Sequence, residues 1–283
     1  MLCTLNEILP HAKKHGYAVP AFDYIEDVFV RPILEASGEL RAPVILAGLP
    51  ANIGGRGLDY IAGIVKAVAP AYAIPVVLHL DHAGEIEVIK RAIAAGFTSV
   101  MFDGSGYPLG ENIAKTREVV KYAHARGVTV EAELGFVAGT DLGGDAGDVR
   151  LTEPGEVERF VAETEVDALA VSIGTIHGVY RAAPRLDLAR LAEIVAVTDV
   201  PLVLHGGSGT PEDQLKDAIR GGIAKLNIYT DMRIAMNAGV AEAAAIVGAR
   251  RDELPDRVLE PLYRGVFEQT KRNIDLTMCA GAY

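Results

Sequence analysis

The sequence predicts a single (β/α)8 barrel of the TIM type, with extra C-terminal helices. Three observations predict it. Eight short apolar runs recur along the 283 residues with helix-length stretches between them, the pattern of a parallel sheet joined by crossover helices. One barrel of about 250 residues accommodates a chain of this length without a second core. No glycine-rich fingerprint follows the first run, where Asp23-Tyr24-Ile25 stands instead, and an open doubly wound sheet normally carries one there.

The runs fall at 17–23, 43–47, 75–80, 99–102, 129–134, 168–173, 201–204 and 224–228. Helices are clearest at 85–95, stopped by Gly96, and at 109–126, stopped by Gly127, because glycine just past the last turn is the common terminator. The tail 251–283 continues beyond the eighth unit and is expected to add helices that cap the barrel or reach a neighbouring subunit. No linker, repeat or low-complexity tract divides 1–283, so one domain is expected.

Half of the residues are hydrophobic and 23% are charged, which suits a large core under an ordinary aqueous surface. Twenty-seven Lys and Arg against 38 Asp and Glu give a net charge of −11. With no basic cluster, nucleic acid is excluded as the expected partner. The two cysteines, Cys3 and Cys279, lie near opposite ends and outside any metal-ligand spacing, as a reducing cytoplasm would leave them. Residues 1–16 lack a signal peptide's apolar middle, and no run reaches the ~20 apolar residues of a membrane span. A cytoplasmic protein is expected.

Barrel active sites lie at the carboxyl ends of the strands, and that rule sorts the seven histidines. His82, His177 and His205 end the third, sixth and seventh runs, whereas His11 and His15 fall in the leading helix, His124 on a later helix and His79 inside the third run. Three imidazoles from one barrel face point to a divalent metal with an open position. Asp81 beside His82 is the expected proton-transfer residue, with a hydrogen bond that orients a ligand histidine as the other reading. Asp103 and Glu133 end the fourth and fifth runs at the same mouth, where they could visit the metal or orient its ligands; Glu131 shares the parity of Glu133 but sits deeper, with a structural role expected.

Gly206-Gly207-Ser208-Gly209 follow the seventh run and precede a helix start at Thr210-Pro211-Glu212, while Asn227 to Thr230 end the eighth. Backbone N–H groups after the last two strands of a barrel are a frequent phosphate cradle. A phosphate ester is the expected ligand.

These residues resemble the class II, zinc-dependent ketose-phosphate aldolases, including the fructose-bisphosphate and tagatose-bisphosphate enzymes. The likeness runs through Val19-Pro20-Ala21-Phe22, His79-Leu80-Asp81-His82, Phe102-Asp103-Gly104-Ser105, Glu111-Asn112, Glu131-Ala132-Glu133-Leu134-Gly135, Gly174-Thr175-Ile176-His177-Gly178, Leu204-His205-Gly206-Gly207-Ser208-Gly209 and Lys225-Leu226-Asn227-Ile228. The resemblance implies Zn2+ on His82, His177 and His205, proton transfer by Asp81, and alternative metal positions at Asp103 and Glu133. It also implies that Gly178, Gly206, Gly207, Ser208, Asn227 and Thr230 hold the dihydroxyacetone phosphate half. A monovalent cation, Na+ or K+, near that phosphate and a homo-oligomer, dimer or tetramer, belong to the same expectation.

In cleavage Asp81 would take the C4 hydroxyl proton while zinc on the C2 carbonyl stabilises the enediolate. A Schiff base on Lys225 is a minor rival. Two positions depart from the resemblance: Asp23 stands where an Asn is usual, and Ala47-Gly48-Leu49-Pro50 replaces a stretch that offers a serine to the far phosphate. Whether a 6-phosphate is recognised is therefore open. The loop 136–150 is expected to supply the acid that reprotonates the enediolate, with Asp141, Asp145 and Asp148 as candidates. An isomerase or epimerase using the same metal, and a non-catalytic barrel subunit, are the other readings of the chain.

Overall fold

The computed structural model describes residues 1–23, 27–137, 149–178, 184–250 and 252–283. Eight parallel strands pair in chain order: β2 (Val19–Asp23), β3 (Val44–Gly48), β4 (Val76–Ala83), β5 (Ser99–Phe102), β6 (Thr129–Leu134), β7 (Ala168–Val171), β8 (Leu202–Leu204) and β9 (Ile223–Ile228). β9 pairs back onto β2, from Val19 opposite Lys225 to Phe22 opposite Ile228, and this pairing closes the barrel. A two-residue strand, β1 (Leu2–Cys3), pairs with Val76 and Val77 at the amino end of β4. All eight expected runs are barrel strands; only the third ends well beyond its predicted limit, at Ala83 instead of Leu80.

Alternation explains why these runs bury both faces. Val76, Leu78 and Leu80 pack outward against the helices, whereas Val77 joins the core inside the barrel. By the same parity His79 and Asp81 point inward, and both are buried. The interior is apolar toward the amino end, with Val19, Ile45 and Val77, and gains its charged side chains toward the carboxyl end.

The register between β4 and β5 slips beyond Leu80. Leu80 pairs with Val100 but Ala83 with Phe102, so β4 carries one extra residue, and His82 there adopts φ 45°. This β-bulge has a direct consequence. In a regular strand His82 would face the helices, opposite to Asp81; the bulge turns it to the same side.

The surrounding helices are α1 (Leu5–His15), α2 (Asp27–Glu39), α3 (Pro50–Ile53), α4 (Gly57–Val68), α5 (Ile86–Ala95), α6 (Leu109–His124), α7 (Pro154–Thr164), α8 (Leu188–Val195), α9 (Glu212–Arg220), α10 (Thr230–Ala249) and α11 (Pro255–Leu276). α1 opens with a capping box, in which the Thr4 N–H and hydroxyl both donate to Glu7 Oε2, at 2.7 and 2.9 Å. It buries Leu5, Ile8, Leu9 and Ala12 against the interior core. α5 stops at Gly96 (φ 109°) as predicted, whereas α6 ends at His124, short of its predicted limit, and Gly127 (φ 69°) closes the turn that follows.

The tail forms α11, which lies along the flank against α10 and α2, and its end buries Ile274 and Cys279 in the core at the amino end of the barrel. Its last residues reach the region after α2, where Gly281 N donates to Leu40 O and Tyr283 N to Arg41 O. No helix among the described residues is long and apolar enough to cross a membrane.

Candidate active site

The strand ends bring His82, His177 and His205 together. Their ring centroids are 4.5 Å apart for His82 and His205, 5.0 Å for His82 and His177, and 5.8 Å for His177 and His205. One ring nitrogen of each lies within 4.8 Å of the others. The hydrogen bonds of two rings say which nitrogen is spoken for. His82 Nδ1 is 2.9 Å from Asp103 Oδ2, and His205 Nε2 is 2.9 Å from Glu131 Oε1. His82 Nε2, His177 Nδ1 and His205 Nδ1 are buried and have no hydrogen-bond partner. Buried polar atoms left unpaired in this way call for a ligand, and carboxylates that engage the opposite ring nitrogens are the usual orienting partners of metal-bound imidazoles. The donor set fits a divalent metal.

Electrostatics sharpen that fit, because a ligating imidazole must be neutral. Burial, reinforced by the neighbouring rings, pushes His177 down to about 3 and lowers His205 as well. His82 goes the other way: burial opposes its charge, but Asp81, Asp103 and Glu133 outweigh burial and push it up to about 10. Glu133, fully buried beside Asp103, is pushed up to about 8. Its Oε2 lies 3.9 Å from His82 Nδ1 and 3.5 Å from His205 Nδ1, so Glu133 and Asp103 flank the same three rings.

Asp81 sits beside this group. Asn227 Nδ2 donates to its Oδ2 at 2.9 Å, while Oδ1 is 3.4 Å from His79 Nε2 and 3.9 Å from Lys225 Nζ. Burial works against its charge, yet His82, His79 and Lys225 together hold the carboxyl well below its ordinary value. Asp81 is therefore held as a carboxylate beside the three rings.

Beneath it, Lys225 Nζ donates to Glu131 Oε2 at 2.6 Å with both groups fully buried. The amine is engaged by a carboxylate and does not line the cleft, which leaves the Schiff-base rival without a free nucleophile. His79, set aside as a core residue, is one: its Nδ1 is 2.8 Å from Ser99 Oγ. Its other nitrogen nevertheless faces Asp81 and Glu131, at 3.4 and 3.7 Å.

A cleft opens above Asp81, His82 and His177. One wall holds Gly178, Gly206, Gly207, Ser208, Asn227 and Thr230, so all six expected phosphate residues share one surface. Gly206 has φ 69°, and a side chain there would strike the Ile176 carbonyl; at Gly207 a Cβ would lie 2.9 Å from Asn227 O. The turn is thus packed tightly onto its neighbours. Asp231 N, in the first turn of α10, donates to Ser208 Oγ at 3.2 Å, which brings that helix N-terminus to the cradle.

Tyr229 also lines the cleft, its hydroxyl accepting from Asn52 Nδ2 at 3.1 Å. Sequence reasoning missed this residue, whose only signal was its place between Asn227 and Thr230. Asp23 and Leu49 line the cleft as well, Asp23 at the end of β2, which pairs with β9. Asp141, Asp145 and Asp148 lie outside the described residues.

Three imidazoles, a buried carboxylate and a glycine-lined cleft at the strand ends of one parallel barrel are the makings of an enzyme site. The comparisons agree. The sequence matches the family described as fructose-bisphosphate aldolase class-II over residues 3–282. The chain resembles the crystal structure of the YdjI aldolase from Escherichia coli K12, with a TM-score of 0.87 and 30% identity over 100% of this chain and 99% of that one. It also resembles a fructose-bisphosphate aldolase from Campylobacter jejuni, with a TM-score of 0.83 and 25% identity over 100% and 97% of the two chains. The chain belongs to the class II fructose-bisphosphate aldolase family and is an aldolase, a carbon–carbon lyase. That membership sets aside the isomerase, epimerase and non-catalytic readings.

Proposed function

We propose that this aldolase is zinc-dependent and cleaves a ketose phosphate reversibly to dihydroxyacetone phosphate and an aldehyde. The observation that carries the reading is the trio of unpartnered ring nitrogens, His82 Nε2, His177 Nδ1 and His205 Nδ1, gathered beside Asp81. A zinc ion held by these rings supplies a Lewis acid for the substrate carbonyl.

The chain does the rest. Gly206 to Ser208 and the start of α10 hold the phosphate, which fixes the ketose with its carbonyl toward the histidines. Asp81, kept ionised and aimed by Asn227, accepts the C4 hydroxyl proton as the C3–C4 bond breaks. Asp103 and Glu131 keep the rings of His82 and His205 in one orientation.

The protein is further expected to be cytoplasmic and to act as a homo-oligomer. Ile234, Val240 and Val247 on α10 are exposed apolar side chains of the kind that a subunit contact would cover. Light scattering at two protein concentrations measures the oligomeric state.

The function is tested by incubating ketose phosphates with the purified chain and assaying for triose phosphate release. Activity should disappear with a chelator and return with Zn2+, and Asp81→Ala and His205→Ala should each lower turnover by about 100-fold or more. Full activity after exhaustive chelation would sink the reading.

A further inference from the structure

We infer that His79 is a positioning residue for the aldol step: its Nε2–H, fixed by the Ser99 hydroxyl at the other ring nitrogen, holds one oxygen of Asp81 and leaves the second toward the histidine rings. This rests on the reading above, in which Asp81 accepts the C4 hydroxyl proton, and says what keeps that carboxylate in place.

Strand geometry brings the groups together. His79 and Asp81 stand two residues apart on β4 and so share its inward face. Ser99 is the cross-strand partner of His79 on β5, and its Oγ lies 2.8 Å from His79 Nδ1. His79 Nε2 is 3.4 Å from Asp81 Oδ1 and 3.7 Å from Glu131 Oε2. All of these side chains are buried.

The ring proton has one place to be. Burial, then the Lys225 ammonium, lower the basicity of His79, so the ring is neutral and carries a single N–H. A bare lone pair facing two carboxylates would be repelled, whereas an N–H there is attracted to both. The proton therefore sits on Nε2, and the Ser99 hydroxyl donates to Nδ1.

Asp81 is then held from two sides. Asn227 Nδ2 donates to its Oδ2 at 2.9 Å, and the same oxygen is 3.8 Å from His82 Nε2. Oδ1 and His79 Nε2 are both buried atoms without a hydrogen-bond partner, and they face each other. Catalytic hydrogen bonds are often long before substrate binds and tighten in the complex. Lys225 Nζ, 3.9 Å from Oδ1, is committed to Glu131 at 2.6 Å, which leaves His79 as the donor for that oxygen. His79, Asp81 and Glu131 could also hold a cation between them, but Lys225 already brings a positive charge to the cluster.

The test compares cleavage with a partial reaction expected of the loop acid and not of Asp81. Cleavage is assayed on the 1-phosphates and 1,6-bisphosphates of fructose and tagatose. Exchange of the C3 hydrogen of dihydroxyacetone phosphate with deuterated water is followed by NMR without any aldehyde. His79→Phe, which keeps a ring and loses the donor, should lower cleavage kcat by about 100-fold with KM changed by less than about 3-fold, the cost of a misplaced catalytic group. Exchange, and zinc affinity in a chelator competition assay, should stay within about 3-fold of wild type. His79→Gln can still donate to Asp81 and should recover cleavage by about 10-fold over His79→Phe. In an Asp81→Ala background, His79→Phe should cost less than about 3-fold more, because its effect passes through Asp81. Ser99→Ala, which frees the ring proton to move, should lower kcat by about 10-fold in the same pattern, and it decides the matter where thermal melts show His79→Phe to be unfolded.

Cleavage by folded His79→Phe within about 3-fold of wild type overturns the inference. So does a loss that exchange and zinc affinity share in equal measure, or one that His79→Gln does not relieve. Asp81→Ala separates the two levels. Where it abolishes cleavage and His79→Phe does not, the positioning inference falls alone; where it leaves cleavage intact, or wild type cleaves none of these substrates, the reading above falls and this inference with it.

Discussion

Glu131 Oε1 accepts the Nε2 proton of His205 at 2.9 Å, and this single bond fixes which face of the His205 ring is left for a metal. The other oxygen of the same carboxylate takes Lys225 Nζ at 2.6 Å. A fully buried chain of contacts therefore runs from Lys225 through Glu131 to His205. Lys225 and Glu131 are fully buried and neither lines the cleft, so their effect on the site passes through position and charge.

Removing one member of the pair should cost more than removing both. Lys225→Met strands the Glu131 carboxylate in the barrel, with a loss on the order of 3–5 kcal/mol in unfolding free energy. Lys225→Met combined with Glu131→Gln should recover part of that loss in urea denaturation. Glu131→Gln alone should weaken zinc binding by about 10–100-fold in a chelator competition assay, because the amide can present its N–H to His205 and turn the ring. A double variant less stable than Lys225→Met, or unchanged zinc affinity in Glu131→Gln, would contradict this account.

His82 occupies the bulge of β4 with φ 45°, a conformation that costs an ordinary L-residue about 1 kcal/mol or more. Glycine pays no such cost. In chelator-treated protein, His82→Gly should therefore melt at a higher temperature than His82→Ala by the equivalent of ~1 kcal/mol, the reverse of their order in a regular strand. Both variants lose a ligand, so the comparison isolates the backbone. An alanine variant equal to or more stable than the glycine one would show that the bulge relaxes freely.

That bulge marks where the sequence stops being legible. The strands could be read because runs such as 129–134 are apolar or inward-facing throughout, and the parity of Glu131 and Glu133 correctly turned both inward. The same parity applied to Asp81 and His82 would put them on opposite faces. Only the extra residue, which nothing in the local pattern announces, lets neighbours share a mouth.

His79 and Lys225 were likewise visible as residues but not as partners, since the contacts of Glu131 with Lys225 and His205 join residues 94 and 74 positions apart. Tyr229 entered the cleft for a similar reason: its wall position depends on where α10 begins and on Asn52 reaching across from α3.

Zinc binding should release a proton from His82. Burial lowers the ring's basicity, but Asp81, Asp103 and Glu133 more than offset it and push the metal-free ring up to about 10, whereas His177 and His205 are already held neutral. Protons therefore compete with the metal at one ring. Apparent zinc affinity should rise by roughly one decade per pH unit between about pH 6 and 8, and calorimetry in buffers of different ionisation enthalpy should report about one proton released per metal. A flat affinity profile over that range would contradict it.

The amino end of the barrel sets the alkaline limit of the fold. Burial pushes the Cys279 thiol from its ordinary 9.0 up to about 12 and the Cys3 thiol up to about 11, and it raises Tyr17 as well. All three are acids whose neutral form is favoured in the folded state. Below about pH 9 both states keep these protons and no stability is lost. Above it the unfolded chain deprotonates first, so it binds fewer protons than the folded one and stability falls as pH rises, by up to ~1.4 kcal/mol per pH unit for each group that has titrated only in the unfolded state. The melting temperature should fall steeply between about pH 9 and 11. Cys279→Ala removes one of these groups and should flatten that slope measurably while lowering the melting temperature at pH 7 only by the modest cost of a small buried truncation. An alkaline slope identical in Cys279→Ala and wild type would place the titrating groups elsewhere.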